Sequence, residues 1–387
     1  MRFFQSAFFL VLISVFGSAS LALGQSTPGQ SNPTQSTSTQ SNPAQPAPAQ
    51  ANAEWKFAVS GDSRNCGDVI MPAIAVGAIQ NQAAFYWHLG DLRAIYGADE
   101  DYQHAPEHRG KPVEREAYLK NAWDDFIQSQ ITPFGSMPFF VGIGNHELIA
   151  PMTRELFDDK FAKWLDAPPL KKRRLTDNPK DTVPKTYFHW IQGGVDFVYL
   201  DNATKDQFSP EQVTWFEGVV ERAAANPEVR SLVVGMHAAL PDSVAHSHSM
   251  NDWQIGVESG RRVYADLMRF NKQTKKNVYL LASHSHFYMS GIFNSDYRQA
   301  HGGELPGWIV GTAGAVRYAL PPDAPQAKEA RTKVYGFLMA TVHADGSIDF
   351  NFQEIKVSDI PAAISKRYTP ELVDFCFNKN TAFSEDR

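Results

Sequence analysis

The chain has 387 residues, with 36 lysines and arginines against 42 aspartates and glutamates, for a formal net charge of -6. That acidic balance argues against a surface built to gather nucleic-acid backbone, which needs clustered cations. Two cysteines without a CxxC pair exclude a disulfide-dense scaffold, a zinc knuckle and a thioredoxin-like redox motif, so any metal site must draw on histidines and carboxylates.

Residues 1–24 read as an export signal. Arg2 supplies the positive start, Phe8 to Phe16 forms an apolar core too short to span a bilayer, and Ala22 and Gly24 place cleavage before Gln25, with Ser20 and Ala22 as the rival pair. A retained membrane anchor is the competing reading. No cysteine lies there to take a lipid. Residues 25–53 carry no charge and no aromatic ring, and place a glutamine at every fifth position from Gln25 to Gln50 among five prolines. Such a segment buries too little apolar surface to offset its chain entropy and reads as a disordered linker. From Glu54 onward the composition is globular and no second linker occurs. One α/β domain over 54–357 with a C-terminal helical tail over 358–387 is expected, in a secreted or periplasmic protein with no stable membrane span after signal cleavage.

Five short apolar runs inside the domain end alike, in a small residue followed by a metal-ligand type. They are Phe57 to Gly61-Asp62, Phe85 to Gly90-Asp91, Phe139 to Gly144-Asn145-His146-Glu147, Leu232 to Met236-His237, and Val278 to Ser283-His284-Ser285-His286. Each has strand length and strand residues. Helical patterns lie between them at Asp68 to Gln82, Arg115 to Gln130 and Pro210 to Ala225, the last with Ser209 as cap and Pro210 at the first helical position. Alternation of strand and helix favours a sheet covered on both faces, in which ligands bind at the carboxyl ends of the strands. Five ligand-bearing strand ends would then converge on one place.

In this order the motifs resemble those of the calcineurin-like metallophosphoesterases, which include the purple acid phosphatases. Gly61-Asp62-Ser63-Arg64, Gly90-Asp91, Gly144-Asn145-His146-Glu147, Met236-His237 and Ser283-His284-Ser285-His286 carry the likeness. It extends through Tyr187 to Trp190, Leu200-Asp201-Asn202 and Gly311 to Gly314, covering about residues 55–357. The resemblance implies a four-layer β-sandwich flanked by helices, with mixed sheets in place of a purely parallel one. It also implies two metal ions, of iron, manganese or zinc, with Asp91 as bridge. Asp62 and His286 would complete the first ligand set, and Asn145, His237 and His284 the second. Mixed nitrogen and oxygen ligands suit those metals better than calcium. His146, by the same resemblance, binds no metal and handles the leaving-group proton.

Two departures qualify this. Arg64 stands where most of the family has a histidine ligand, and a guanidinium does not coordinate a cation. It is read as a phosphate clamp or, alternatively, as a salt-bridge partner of a nearby carboxylate. Purple acid phosphatases supply a tyrosine three residues after the bridging aspartate, where this chain has Ala94; Tyr96 would reach a metal only if the loop bulged. Of the remaining histidines, His88 reads as structural, and His104, His108, His246 and His248 as exposed histidines on loops near the crevice, with a functional role as the competing reading. Trp87, Trp190 and Trp215 read as core. Cys66 and Cys376 could pair in an exported protein, though spacing alone leaves this open. The expected function is a metal-dependent phosphatase or phosphodiesterase acting on a small phosphorylated substrate, with no nucleic-acid partner. The alternative is a metal- or phosphate-binding surface protein with a weakened site.

Overall fold

The computed structural model describes residues 54–245 and 247–382, so the expected signal and linker, His246 and residues 383–387 of the expected tail lie outside the described residues. The strands are β1 (Trp55–Ser60), β2 (Ala83–His88), β3 (Phe139–Val141), β4 (Phe188–Gln192), β5 (Val195–Leu200) and β6 (Ser231–Met236). They continue with β7 (Asn277–Ala282), β8 (Tyr288–Ser290), β9 (Gly307–Val310), β10 (Glu329–Arg331), β11 (Tyr335–Val342) and β12 (Ile348–Ile355). One sheet has the order β12-β11-β1-β2-β3 and the other β10-β8-β9-β7-β6-β5-β4. Both are mixed. β1, β2 and β3 run parallel, as do β5, β6, β7 and β9, while β11, β12, β4, β8 and β10 pair antiparallel with their neighbours.

Side chains alternate across a strand, and that alternation sorts this chain into layers. Phe57, Phe85 and Trp87 of the first sheet and Trp190, Phe197 and Tyr199 of the second belong to one buried cluster between the sheets. Phe57 meets Phe197 edge-on at 5.1 Å, Trp87 meets Trp190 at 5.3 Å, and Phe140 stacks on Trp190 at 4.1 Å. The intervening residues Val198, Leu200, Leu232 and Val234 face the other way, into a second cluster with Phe216, Val219 and Leu267. The latter three come from the helices Pro210–Ala225 and Gln254–Thr274.

The helix Pro210–Ala225 begins where the sequence predicts: the Ser209 hydroxyl accepts the Gln212 amide at 3.2 Å. Its buried residues Val213, Phe216, Val219, Val220 and Ala223 recur at helical spacing. The pattern at Arg115 to Gln130 is shorter in fact. Regular α-helix ends at Phe126 and a π turn covers Ile127–Ile131, which lets the buried Gln130 side chain donate to Asp68 at 2.9 Å. Past Ile355 the chain forms the short helices Ala362–Arg367 and Pro370–Asp374, and Cys376 is disulfide-bonded to Cys66 with their Cα atoms 5.8 Å apart. His88, Trp87 and Trp190 are buried as expected. Trp215 is half-buried against Tyr187.

Candidate metal centre

The loops after β1, β2, β3, β6 and β7 carry Asp62, Asp91, Asn145, His237, and His284 with His286. Three of these, Asp62, Asp91 and His284, have φ between 59° and 65°, a left-handed backbone that costs energy in a non-glycine residue and tends to mark functional loops. Close approach of two loops makes this possible. A β-carbon at Gly90 would lie 2.6 Å from the Gly144 nitrogen, and one at Gly144 would lie 2.3 Å from Asp91 Oδ1. Glu147, fully buried, ties the same loops together by accepting the amides of Asp91 at 3.0 Å, Leu92 at 2.9 Å and Gly144 at 2.8 Å.

Two groups of ligand atoms result. Asp62, Asp91 and His286 form one, and Asp91, His237 and His284 the other, each gathered within 4.8 Å, with Asp91 common to both. The Asn145 side-chain oxygen lies 3.0 Å from His237 Nε2, and Asp91 Oδ1 lies 3.2 Å from the same nitrogen. All six residues that the sequence singles out as ligands are thus at one end of the two sheets.

Backbone carbonyls orient the imidazoles. A carbonyl can only accept, so His237 Nδ1 donates to Leu89 at 3.0 Å, His286 Nδ1 to Val316 at 2.6 Å and His146 Nδ1 to Ala94 at 2.6 Å. Each Nε2 is then turned into the site. Burial, reinforced by Arg64, lowers His286, and burial with His237 nearby holds His284 well below the usual imidazole range. Their rings are neutral, the form that binds metal. Asp62 Oδ1 lies 3.1 Å from His286 Nε2, so that two donor atoms of the first group stand side by side. Asp91 lifts His237 to about 10 in spite of burial, so a proton fills part of the second group until a metal displaces it. Asp91 Oδ2 and His284 Nδ1 are buried without a hydrogen-bond partner among the described residues. Buried atoms without a partner, the lowered imidazoles of His284 and His286 and a carboxylate shared by both groups fit metal binding.

Arg64 is buried and crosses the first group. Its Nε lies 3.7 Å from Asp91 Oδ2, and one terminal nitrogen donates to His286 Nε2 at 3.1 Å and to the Tyr318 hydroxyl at 3.4 Å. The salt-bridge reading of Arg64 is thus realised with the proposed bridge itself. His146 Nε2 lies 3.6 Å from Asp91 Oδ2, and burial lowers its pKa. The loop after Asp91 does bend. Ile95, fully buried, has φ 61°, and the Tyr96 amide donates back to Ala94 at 2.7 Å across it, a strained three-residue turn for a β-branched side chain. This turn brings the Tyr96 hydroxyl to Arg64 at 3.3 Å and its ring edge-on to His146 at 5.3 Å.

Sequence reasoning missed another member. Tyr318 stacks on His286 at 4.0 Å, and nothing in its local pattern marks it. His248 is exposed, as expected, and its loop lies beside the site, with its ring 4.8 Å from that of Tyr318 and 5.4 Å from that of His284. It is brought in because the Ser285 hydroxyl donates to the His248 carbonyl at 3.2 Å and Ser249 bridges to Ala239. His104 and His108 stay away: His104 bonds to the Glu100 carbonyl of its own helix and His108 stacks on Tyr102.

No family profile and no curated protein sequence matches the chain. Among solved structures it is similar to the purple acid phosphatase PPD1 isolated from yellow lupin (Lupinus luteus) seeds, with a TM-score of 0.52 and 16% identity over 80% of this chain. The match covers 52% of the lupin chain, so the present protein spans about half the length of that relative. PhoD aligns with a TM-score of 0.49 and 15% identity, over 80% of this chain and 73% of its own. The chain shares with the lupin protein an α/β fold, here of two mixed sheets and flanking helices.

Proposed function

We propose that the protein is an exported metal-dependent phosphoesterase that hydrolyses phosphomonoesters or phosphodiesters. The observation that carries the reading is the convergence of Asp62, Asn145, His237, His284 and His286 on the shared, under-bonded carboxylate of Asp91. Two metal ions, when bound, would neutralise phosphate oxygens and lower the pKa of an attacking water. Asp91 would hold the two ligand sets together, with Asp62 and His286 on one side and Asn145, His237 and His284 on the other. Arg64, freed from Asp91 once that carboxylate is engaged, would grip a phosphoryl oxygen. His146, with Nδ1 committed to Ala94, presents Nε2 for the leaving-group proton.

Metal analysis together with turnover of p-nitrophenyl phosphate and bis-p-nitrophenyl phosphate tests this. Two metals per chain and hydrolysis of at least one ester are expected. Arg64 beside Asp91 and His286 also favours the second reading, a binding protein whose site is weakened, and full metal content with no turnover of either ester would select it. Changing His146 to Ala should keep metal content and lower kcat about 100-fold, a typical loss for a removed general acid. Equal loss of metal would instead make His146 a ligand. Arg64→Ala should raise KM or lower kcat with metal content unchanged, and unaltered kinetics would leave Arg64 structural.

Export is supported by the Cys66–Cys376 disulfide, since such bonds persist in oxidising compartments. We read residues 1–24 as removed, 25–53 as linker, 54–357 as the catalytic domain and 358–387 as a tail packed on it. N-terminal sequencing of protein recovered outside the cytoplasm should begin at Gln25; an intact Met1 would sink the cleavage reading.

A further inference from the structure

The end of the chain grips two loops. Asn380, nearly fully buried, donates from its side chain to the Gly314 carbonyl at 3.1 Å and the Tyr335 hydroxyl at 2.8 Å. Arg317, also buried, donates to the carbonyls of Cys376 at 3.1 Å, Phe377 at 2.9 Å and Asn380 at 3.2 Å. Backbone bonds run between Arg317 and Asn380 at 3.0 Å and between Ala382 and Arg317 at 2.9 Å. On the other loop, which runs from Asp62 to Cys66, the disulfide joins Cys376 to Cys66, and Tyr368 donates at 3.1 Å to Asp68 in the first turn of the following helix, Gly67–Gln80. The two loops meet where the Cys66 amide donates to Gly314 at 3.2 Å.

These loops hold Asp62 and His286. The Ala315 amide donates to the Asp62 carbonyl at 2.9 Å, the Val316 carbonyl fixes the His286 ring, and Tyr318 stacks on that ring while its amide donates to the His286 carbonyl at 3.2 Å. Of the second group, His284 shares the loop of His286 and its amide donates to Asp62 at 2.6 Å, while Asp91 and His237 have further braces of their own. Asp91 depends on Glu147, and His237 on Leu89 and the Ser283 hydroxyl, 3.1 Å from Nδ1; among the described residues none of these braces hydrogen-bonds to the chain end.

We propose that residues 368–382, locked down by the Cys66–Cys376 disulfide, position the Asp62–His286 half of the metal centre, so that this half reaches full affinity only after the cysteines are oxidised. The inference rests on reading Asp62 and His286 as metal ligands. In the reduced chain the segment is held by hydrogen bonds and the burial of Tyr368 and Leu372, and local opening frees Val316 and Tyr318 together. Closure is thiol–disulfide exchange. One thiolate attacks a disulfide oxidant such as oxidised glutathione, releasing one glutathione thiolate, and the second cysteine attacks the mixed disulfide so formed at the protein sulfur, releasing the other. Two protons and two electrons leave the protein, and two glutathione thiols form.

The test compares oxidised full chain, reduced full chain and the Cys66→Ala/Cys376→Ala double variant, with Asn380→Ala in the oxidised chain as a milder probe. In metal-free protein, hydrogen exchange at the amides of Ala315, Arg317 and Tyr318 should accelerate about tenfold or more on reduction, with those of Asp91, Leu92 and Gly144 unchanged. Calorimetric titration with Zn²⁺ or Mn²⁺ should then show one of two sites weakened by about tenfold and the other intact. Uniform acceleration of all six amides, or equal weakening of both sites, would make the disulfide a global staple and overturn the proposal, as would no change in either. If the double variant does not fold, Asn380→Ala decides between the same outcomes at smaller amplitude. Absence of metal binding to the oxidised protein would remove the ligand reading, while the exchange comparison would still judge whether the chain end orders the loop.

Discussion

Asp91→Asn should cost the protein its metal and its turnover together. The carboxylate is the member common to both ligand groups, and its Oδ2 is buried without a hydrogen bond among the described residues. Against the burial that would raise it, His146, His237 and Arg64 hold Asp91 well below the ordinary carboxylate range. An amide keeps the shape but removes the charge that two cations share. A fall in kcat/KM of about 1000-fold or more is expected, with metal content reduced in the same preparations. If the purified variant retained two metals and wild-type turnover, Asp91 would not be the bridge.

Arg93→Ala carries the second large effect, on stability. Two residues past Asp91, Arg93 is fully buried among carboxylates from separate segments: Asp68 at 2.6 Å, Asp101 at 3.2 Å, Asp99 at 3.8 Å, and Asp125. Removing the one cation leaves like charges facing each other in low dielectric, a loss of about 3–5 kcal/mol. Even with Arg93 present, burial and the neighbouring Asp68 and Asp99 raise Asp125 to about 7. A carboxyl whose folded pKa lies above its unfolded one contributes stability at low pH that is lost as pH rises through the folded value. Without Arg93 the cluster titrates higher still. The gap in Tm between wild type and variant should therefore be wider at pH 8 than at pH 5, and a gap independent of pH would show that the loss is one of packing.

How much of this could be read beforehand depends on whether the signal is local. Strand ends such as Gly90-Asp91 and Ser283-His284-Ser285-His286 announce themselves because a short apolar run, a small residue and a ligand type fall together. Ser209-Pro210 marks its helix for the same reason. The partition into two sheets was legible only through the family resemblance, because β1 to β3 and β5 to β7 share one strand pattern and yet belong to different sheets. Tyr318 and His248 enter the site through contacts distant in sequence, from loops without periodicity. Glu147 was quoted as part of a motif, yet its task of holding three backbone amides shows only when the loops are seen to cross. The carboxylates around Arg93 are scattered from Asp68 to Asp125, and no spacing rule gathers them.

The disulfide spans 310 positions of sequence, so nearly the whole described domain lies inside one covalent ring. The largely exposed stretch from Pro106 to Glu114 offers an added protease a peptide bond to cut. A single nick there would open the ring without releasing a fragment. The nicked molecule would migrate as one chain on a gel without reductant and as two with it, keeping its folded core while already cleaved.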